Sequence, residues 1–144
     1  MNLVRTLAAT TLAGAVLAGG ATSANAATSA DTGSTATRGY AVCTIHANAP
    51  YLSGALIKGD GDLTCTENVA GLQLKVVVQK FVAGRWVAVG VPVQGVRYDV
   101  IKVWGTAYTS FAHGTYRTKS TGKVLFYGAG AWRPVSAVSA PRTA

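Results

Sequence analysis

From residue 40 onward the chain carries apolar and polar positions in short runs separated by glycine, and no stretch keeps a helical period. The clearest run is Leu72, Leu74, Val76 and Val78, which alternate with Gln73, Lys75, Val77 and Gln79. Successive side chains of a strand point to opposite faces, so this run predicts a strand with one core face and one wet face. Ala83-Gly84 then turns the chain into residues 85–91, where Trp86 begins a second run; residues 72–91 thus read as an antiparallel hairpin ended by Pro92. Residues 96–109 alternate again, with a bend or bulge expected around 102–105 because Gly105 weakens pairing. Upstream, residues 40–47 form the first predicted strand. Residues 52–58 and 63–67 read as a hairpin about Asp60-Gly61, a pair suited to a tight turn with positive φ. Downstream, 115–119 and 123–127 flank a turn at Thr121-Gly122, and 132–138 is expected as an edge segment because Pro134 does not suit a central strand. Seven or eight short strands over about 100 residues predict an all-β antiparallel sandwich.

The start of the chain follows a different pattern. After a single charge at Arg5, residues 7–18 (LAATTLAGAVLA) give 12 positions without charge, well short of the ~20 needed to span a bilayer. Ala24-Asn25-Ala26 supplies the small residues that signal peptidase accepts. Residues 1–26 are therefore read as a secretory signal peptide cut between Ala26 and Ala27. Gly20 stands where a lipoprotein would need a cysteine, and there is no twin-arginine pair, so the expected product is free and secreted, with no permanent membrane anchor. Residues 27–38 (ATSADTGSTATR) lack apolar periodicity and are expected to be a flexible leader, with the sandwich domain over 39–138 and a disordered tail over 139–144.

The signal peptide inflates the hydrophobicity of the whole, so composition is read without it: 144 − 26 leaves 118 residues, and the 13 Lys and Arg lose Arg5, leaving 12 against 5 Asp and Glu, or +7. One domain with one core fits that length. The positive balance implies attraction to anionic material outside the cell, such as an anionic wall polymer. The cations look scattered along the sequence, without the clustered stripe and stacking aromatics of a nucleic-acid face, so no nucleic-acid partner is expected. Cys43 and Cys65 both follow the leader, and an even count in an oxidising space predicts a disulfide between them.

Several of these features together resemble a group of small secreted actinobacterial, Streptomyces-like proteins of uncharacterised function. They are an Ala-rich leader, a cysteine in the first strand and another soon after, the run LQLKVVVQKFVAGRWVAVG, and GTYRT at 114–118. The similarity spans most of residues 40–128. It implies an immunoglobulin-like sandwich and export, and it brings no catalytic residues. Members often carry a second cysteine pair in the later half, which this chain lacks.

Candidate chemistry is sparse. Of the five carboxylates, Asp31 falls in the leader, Asp60 and Asp62 in the expected turn, and Glu67 and Asp99 far apart. Asp60-x-Asp62 lacks the later ligands of a calcium loop, and neither His46 nor His113 has an acid beside it in sequence. No catalytic residue, metal site or cofactor is therefore assigned. The aromatic residues point elsewhere: Trp104, Tyr108, Phe111 and Trp132, with Lys102, are expected to form a ligand surface for a polysaccharide, a cell-wall polymer or an extracellular protein. The expected function is a non-catalytic extracellular binding module. A secreted inhibitor or toxin-like effector, marked by a rigid loop at 59–62, is the alternative, and a hydrolase is third.

Overall fold

The computed structural model describes residues 31–144. It contains eight strands: β1 (Asp31–Arg38), β2 (Ala41–Ala47), β3 (Tyr51–Ser53), β4 (Leu56–Val82), β5 (Arg85–Ser110), β6 (Thr115–Leu125), β7 (Arg133–Val138) and β8 (Arg142–Thr143). All pairings are antiparallel, and no helix occurs among the described residues. The all-β antiparallel expectation holds, but two of the strands are far from short: β4 has 27 residues and β5 has 26.

These two strands build the architecture by running through both layers. The first part of β4, residues 56–65, pairs with β3 and β2 on one edge, and residues 56–64 pair with the end of β5 on the other. With β1 beside β2, this is the front sheet. The later part of β4 pairs with β6 and with the start of β5, and β7 and β8 lie along β6 to complete the back sheet. Between Thr64 and Val69 the β4–β5 register slips, and four residues of β4 (65–68) face Ile101 alone. Extra residues on one strand bend it and increase its twist, so both strands turn the corner here together. Asp99 takes up the turn on β5 with φ 52°.

The front and back sheets are two halves of one continuous eight-stranded sheet, not the separate sheets of the expected sandwich, and its outer edges nearly meet to make an almost closed barrel. At one seam Gly33 of β1 lies against Ala137 of β7. Across it the Ser34 hydroxyl donates to the Ser136 carbonyl at 3.3 Å and accepts from the Ser136 amide at 2.8 Å. At the other seam β5 approaches itself, with Gly90 against Tyr108 and Thr109 and Gly105 against Val93. The core between the layers is aliphatic, with Ile45, Leu63, Leu72, Val76, Val78 and Val124 buried. Each such side chain adds about 1.5–3 kcal/mol of apolar burial. Cys43 and Cys65 are directly opposite each other on β2 and β4 and form the disulfide expected of them. The 22-residue separation gives a loop-closure contribution of about 3 kcal/mol.

Several expectations need correction. Asp60-Gly61 is not a turn: β4 passes straight through it. Gly59 and Gly61 face inward against the side chains of Thr118 and Ser120, where a Cβ would collide, so these glycines permit close approach of the sheets. Thr121-Gly122 is likewise inside β6, since a Cβ at Gly122 would lie 2.7 Å from the Gln73 carbonyl. Pro92 does not end a strand but lies in an irregularity opposite Val77, where β5 needs no amide donor. The bend of β5 falls at Asp99, ahead of the expected 102–105. Residues 31–38 of the expected flexible leader form β1, and Arg142–Thr143 of the expected disordered tail pair with β6. The signal-peptide reading of residues 1–26 lies outside the described residues.

Candidate functional site

The outer face of the front sheet collects polar and aromatic side chains in rows set by strand register. On β4 the outward positions are Lys58, Asp60, Asp62 and Thr64, because Ile57, Gly59, Gly61 and Leu63 point into the core. Alternation on β5 turns Val103, Gly105 and Ala107 inward and leaves Lys102, Trp104, Thr106 and Tyr108 outside. Pairing then places His46, Asp62 and Trp104 in one row, Thr44, Thr64 and Lys102 in a second, and Tyr51, Lys58 and Tyr108 in a third.

A fixed network holds the centre of this face. One oxygen of Asp62, Oδ2, accepts the Thr64 hydroxyl at 2.8 Å and His46 Nδ1–H at 3.3 Å, and Lys102 Nζ stands 3.6 Å away. A carboxylate has no proton to give, so the contact with His46 selects the tautomer or cation that carries hydrogen on Nδ1. Asp60 Oδ1 accepts the Thr106 hydroxyl at 2.6 Å. Partial burial, then the charge and hydrogen bond of Asp60, hold the Tyr51 phenol above its ordinary range. Beside these groups Trp104 is 73% exposed and Tyr108 41% exposed. They lie four residues apart on one strand face, about 13 Å. The Thr64 hydroxyl points to Asp62 and not to the imidazole, so the histidine does not face a hydroxyl it would activate.

The expected ligand surface is thus brought together only in part. Lys102, Trp104 and Tyr108 share the front face. Phe111 turns to the end of the barrel, edge-on to His113 at 5.1 Å between ring centres, and lines a cavity of about 320 Å³ with Tyr51, Leu52, Ile57 and Tyr116. Trp132 lies on the other layer, where its ring and that of Tyr98 cover the backbone of Gly71. Tyr98 is itself 67% exposed, and near it the Tyr127 hydroxyl donates to Asp99, which raises the phenol above its ordinary range.

His46, Asp60 and Asp62 were not expected at this surface. The signal for the two aspartates was present in KGDGDLTC at 58–65, a two-residue alternation in which small or apolar residues occupy every second place. Reading Gly59 and Gly61 as inward-facing small residues turns an apparent hairpin into a strand with two acids on its wet face. His46 needs the β2–β4 register, which is nonlocal. Among the described residues no three His, Cys, Asp or Glu side chains gather as a metal site. Comparison with protein-family models, with curated proteins and with solved structures finds no match, so the geometry of the chain itself carries the functional reading.

Proposed function

We propose that the protein is an exported, non-catalytic binding module that takes a polysaccharide chain on the front face, with Trp104 as its anchor. The carrying observation is a 73% exposed tryptophan beside carboxylates and hydroxyls already fixed by one another. A sugar presents an apolar ring face and a rim of hydroxyls. An exposed indole supplies the stacking surface, and Asp60, Asp62 and Thr106 supply hydrogen-bonding atoms whose ordering does not have to be completed on binding. Tyr108 adds a second ring along the same strand, and Lys102 lets the face accept acidic substituents. The same reading includes export by residues 1–26 and kinship with immunoglobulin-like secreted domains; a disulfide on adjacent strands is compatible with an oxidising destination. The effector alternative loses its expected mark, since residues 59–62 lie within β4 and do not protrude.

The test is retention on insoluble cell-wall and polysaccharide fractions, followed by titration with soluble oligosaccharides. Trp104→Ala is expected to weaken binding by about 2 kcal/mol, or roughly 30-fold, as for a central aromatic anchor. Tyr108→Ala should have a smaller effect, and Trp132→Ala none. If the parent protein is retained by no fraction, or Trp104→Ala binds as well as the parent, the reading is wrong.

A further inference from the structure

The back sheet has an outer face of opposite character. Its outward positions on β6 are Arg117, Lys119, Thr121 and Lys123, because Tyr116, Thr118, Ser120, Gly122 and Val124 are buried. On the adjoining stretch of β4 the outward residues are Gln73, Lys75, Val77 and Gln79, and register pairs them with Lys123, Thr121, Lys119 and Arg117 in turn. On the far side of β4, Gln94 stands opposite Lys75. Cations that look scattered in sequence are therefore gathered by two-residue alternation on one face.

That face differs from an ordinary solvated surface in three respects. First, the carboxylates whose side chains the structure describes are elsewhere: Asp60 and Asp62 are on the front face, and Glu67 and Asp99 at the corner where β4 and β5 bend. The ion pairs found among the described residues all involve Asp62, so Lys75, Lys119 and Lys123 enter none of them. Second, one cation is already positioned. The Arg117 guanidinium stacks on Trp86 at 4.3 Å from the ring centre, and its Nε donates to Gln79 Oε1 at 2.8 Å. Third, Gln73, Lys75, Gln94, Thr121 and Lys123 surround a shallow depression of about 160 Å³, in which two ammonium groups are joined by amide and hydroxyl donors.

We infer that this back face is a second binding site, for a linear polyanion lying along β6. Same-face residues on a strand are about 7 Å apart, so Arg117, Lys119 and Lys123 form a row of positive charge that an extended chain of anionic groups can follow. Lys75 flanks the row from the next strand. The ligand chemistry is a repeated anionic group on a flexible backbone, either phosphate or carboxylate. The inference does not depend on the polysaccharide reading of the front face, since no residue is shared between them.

The experiment measures binding of the full exported chain to long-chain polyphosphate and to polygalacturonate, with uncharged dextran as control, over a series of salt concentrations. Binding of one or both polyanions at low salt is expected, weakening steeply as salt rises because counterions are released on contact. The polymer bound more tightly identifies the anionic group. Lys119→Glu with Lys123→Glu should lower affinity at least tenfold and flatten the salt dependence. Lys119→Gln with Lys123→Gln should give a smaller loss in the same direction. Arg97→Glu with Arg142→Glu, which makes the same change in net charge away from this face, should retain most of the binding. Failure to bind either polyanion at low salt, or an equal loss in the Arg97/Arg142 pair, would overturn the inference; the latter result would mean that net charge alone is responsible.

Discussion

At the residue scale, four small residues make a close fit between β4 and β6. Gly59 and Gly61 on β4 face Thr118 and Ser120 on β6, and both hydroxyls are buried without a hydrogen-bond partner. A buried hydroxyl that loses water and gains no partner is unfavourable by about 1–3 kcal/mol. Removing it while keeping the Cβ should therefore help: Ser120→Ala is expected to raise stability by about 1 kcal/mol in urea denaturation. Gly61→Ala should act in the opposite sense, by about 1–3 kcal/mol, because the new methyl meets Ser120 and lies 2.9 Å from Val76. A loss of stability in Ser120→Ala would show that the hydroxyl is satisfied. The cysteines were legible at this scale, since a chain with two cysteines has one possible intramolecular pairing. The glycines misled, because the same residue type serves a turn through its φ and a sheet contact through its missing side chain, and sequence does not say which applies.

At the element scale, the β4–β5 hairpin shows which signals are local. Its turn at Ala83-Gly84 was legible, and both residues have positive φ, 49° and 79°. That is the type I′ pattern, in which the strand twist is matched by two left-handed residues. Alanine is poorly suited to the first of them, whereas asparagine tolerates it. Ala83→Asn is expected to stabilise the fold by about 0.5–1 kcal/mol and raise the melting temperature by roughly 3 °C, while Ala83→Val should lower it. A melting temperature unchanged in both variants would mean that the turn carries little strain. Strand β1 was not legible, for the reason that makes it a strand at all. DTGSTATR has almost no apolar content, and among its described side chains Ala36 is the one in the core. It is held by backbone pairing with β2 and by small residues that let it approach β7, contacts set by tertiary structure alone.

For the whole molecule, the fold separates two chemistries that sequence order mixes. Asp60 and Asp62 precede Lys75, and Lys102 and Trp104 precede Lys119 and Lys123, yet register sends the first members to the front face and the others to the back. Packed sheets lie about 10 Å apart, so a ligand on one face does not touch the other. Changes at separated sites with no shared partner are additive. Two independent sites on opposite faces, as proposed above, would give the protein a capacity that neither face has alone, which is to hold one polymer against another. The expected outcome is that insoluble polysaccharide retains a labelled soluble polyanion only when the protein is present. Trp104→Ala should release protein and polyanion together from the solid. Lys119→Glu with Lys123→Glu should leave the protein on the solid and the polyanion in solution. Salt provides a second separation: at ~0.5 M the screening length falls well below 10 Å, which should detach the polyanion while stacking on Trp104 persists. If both ligands leave together as salt rises, or if one polymer displaces the other, the two faces do not act as separate sites and the bridging role fails.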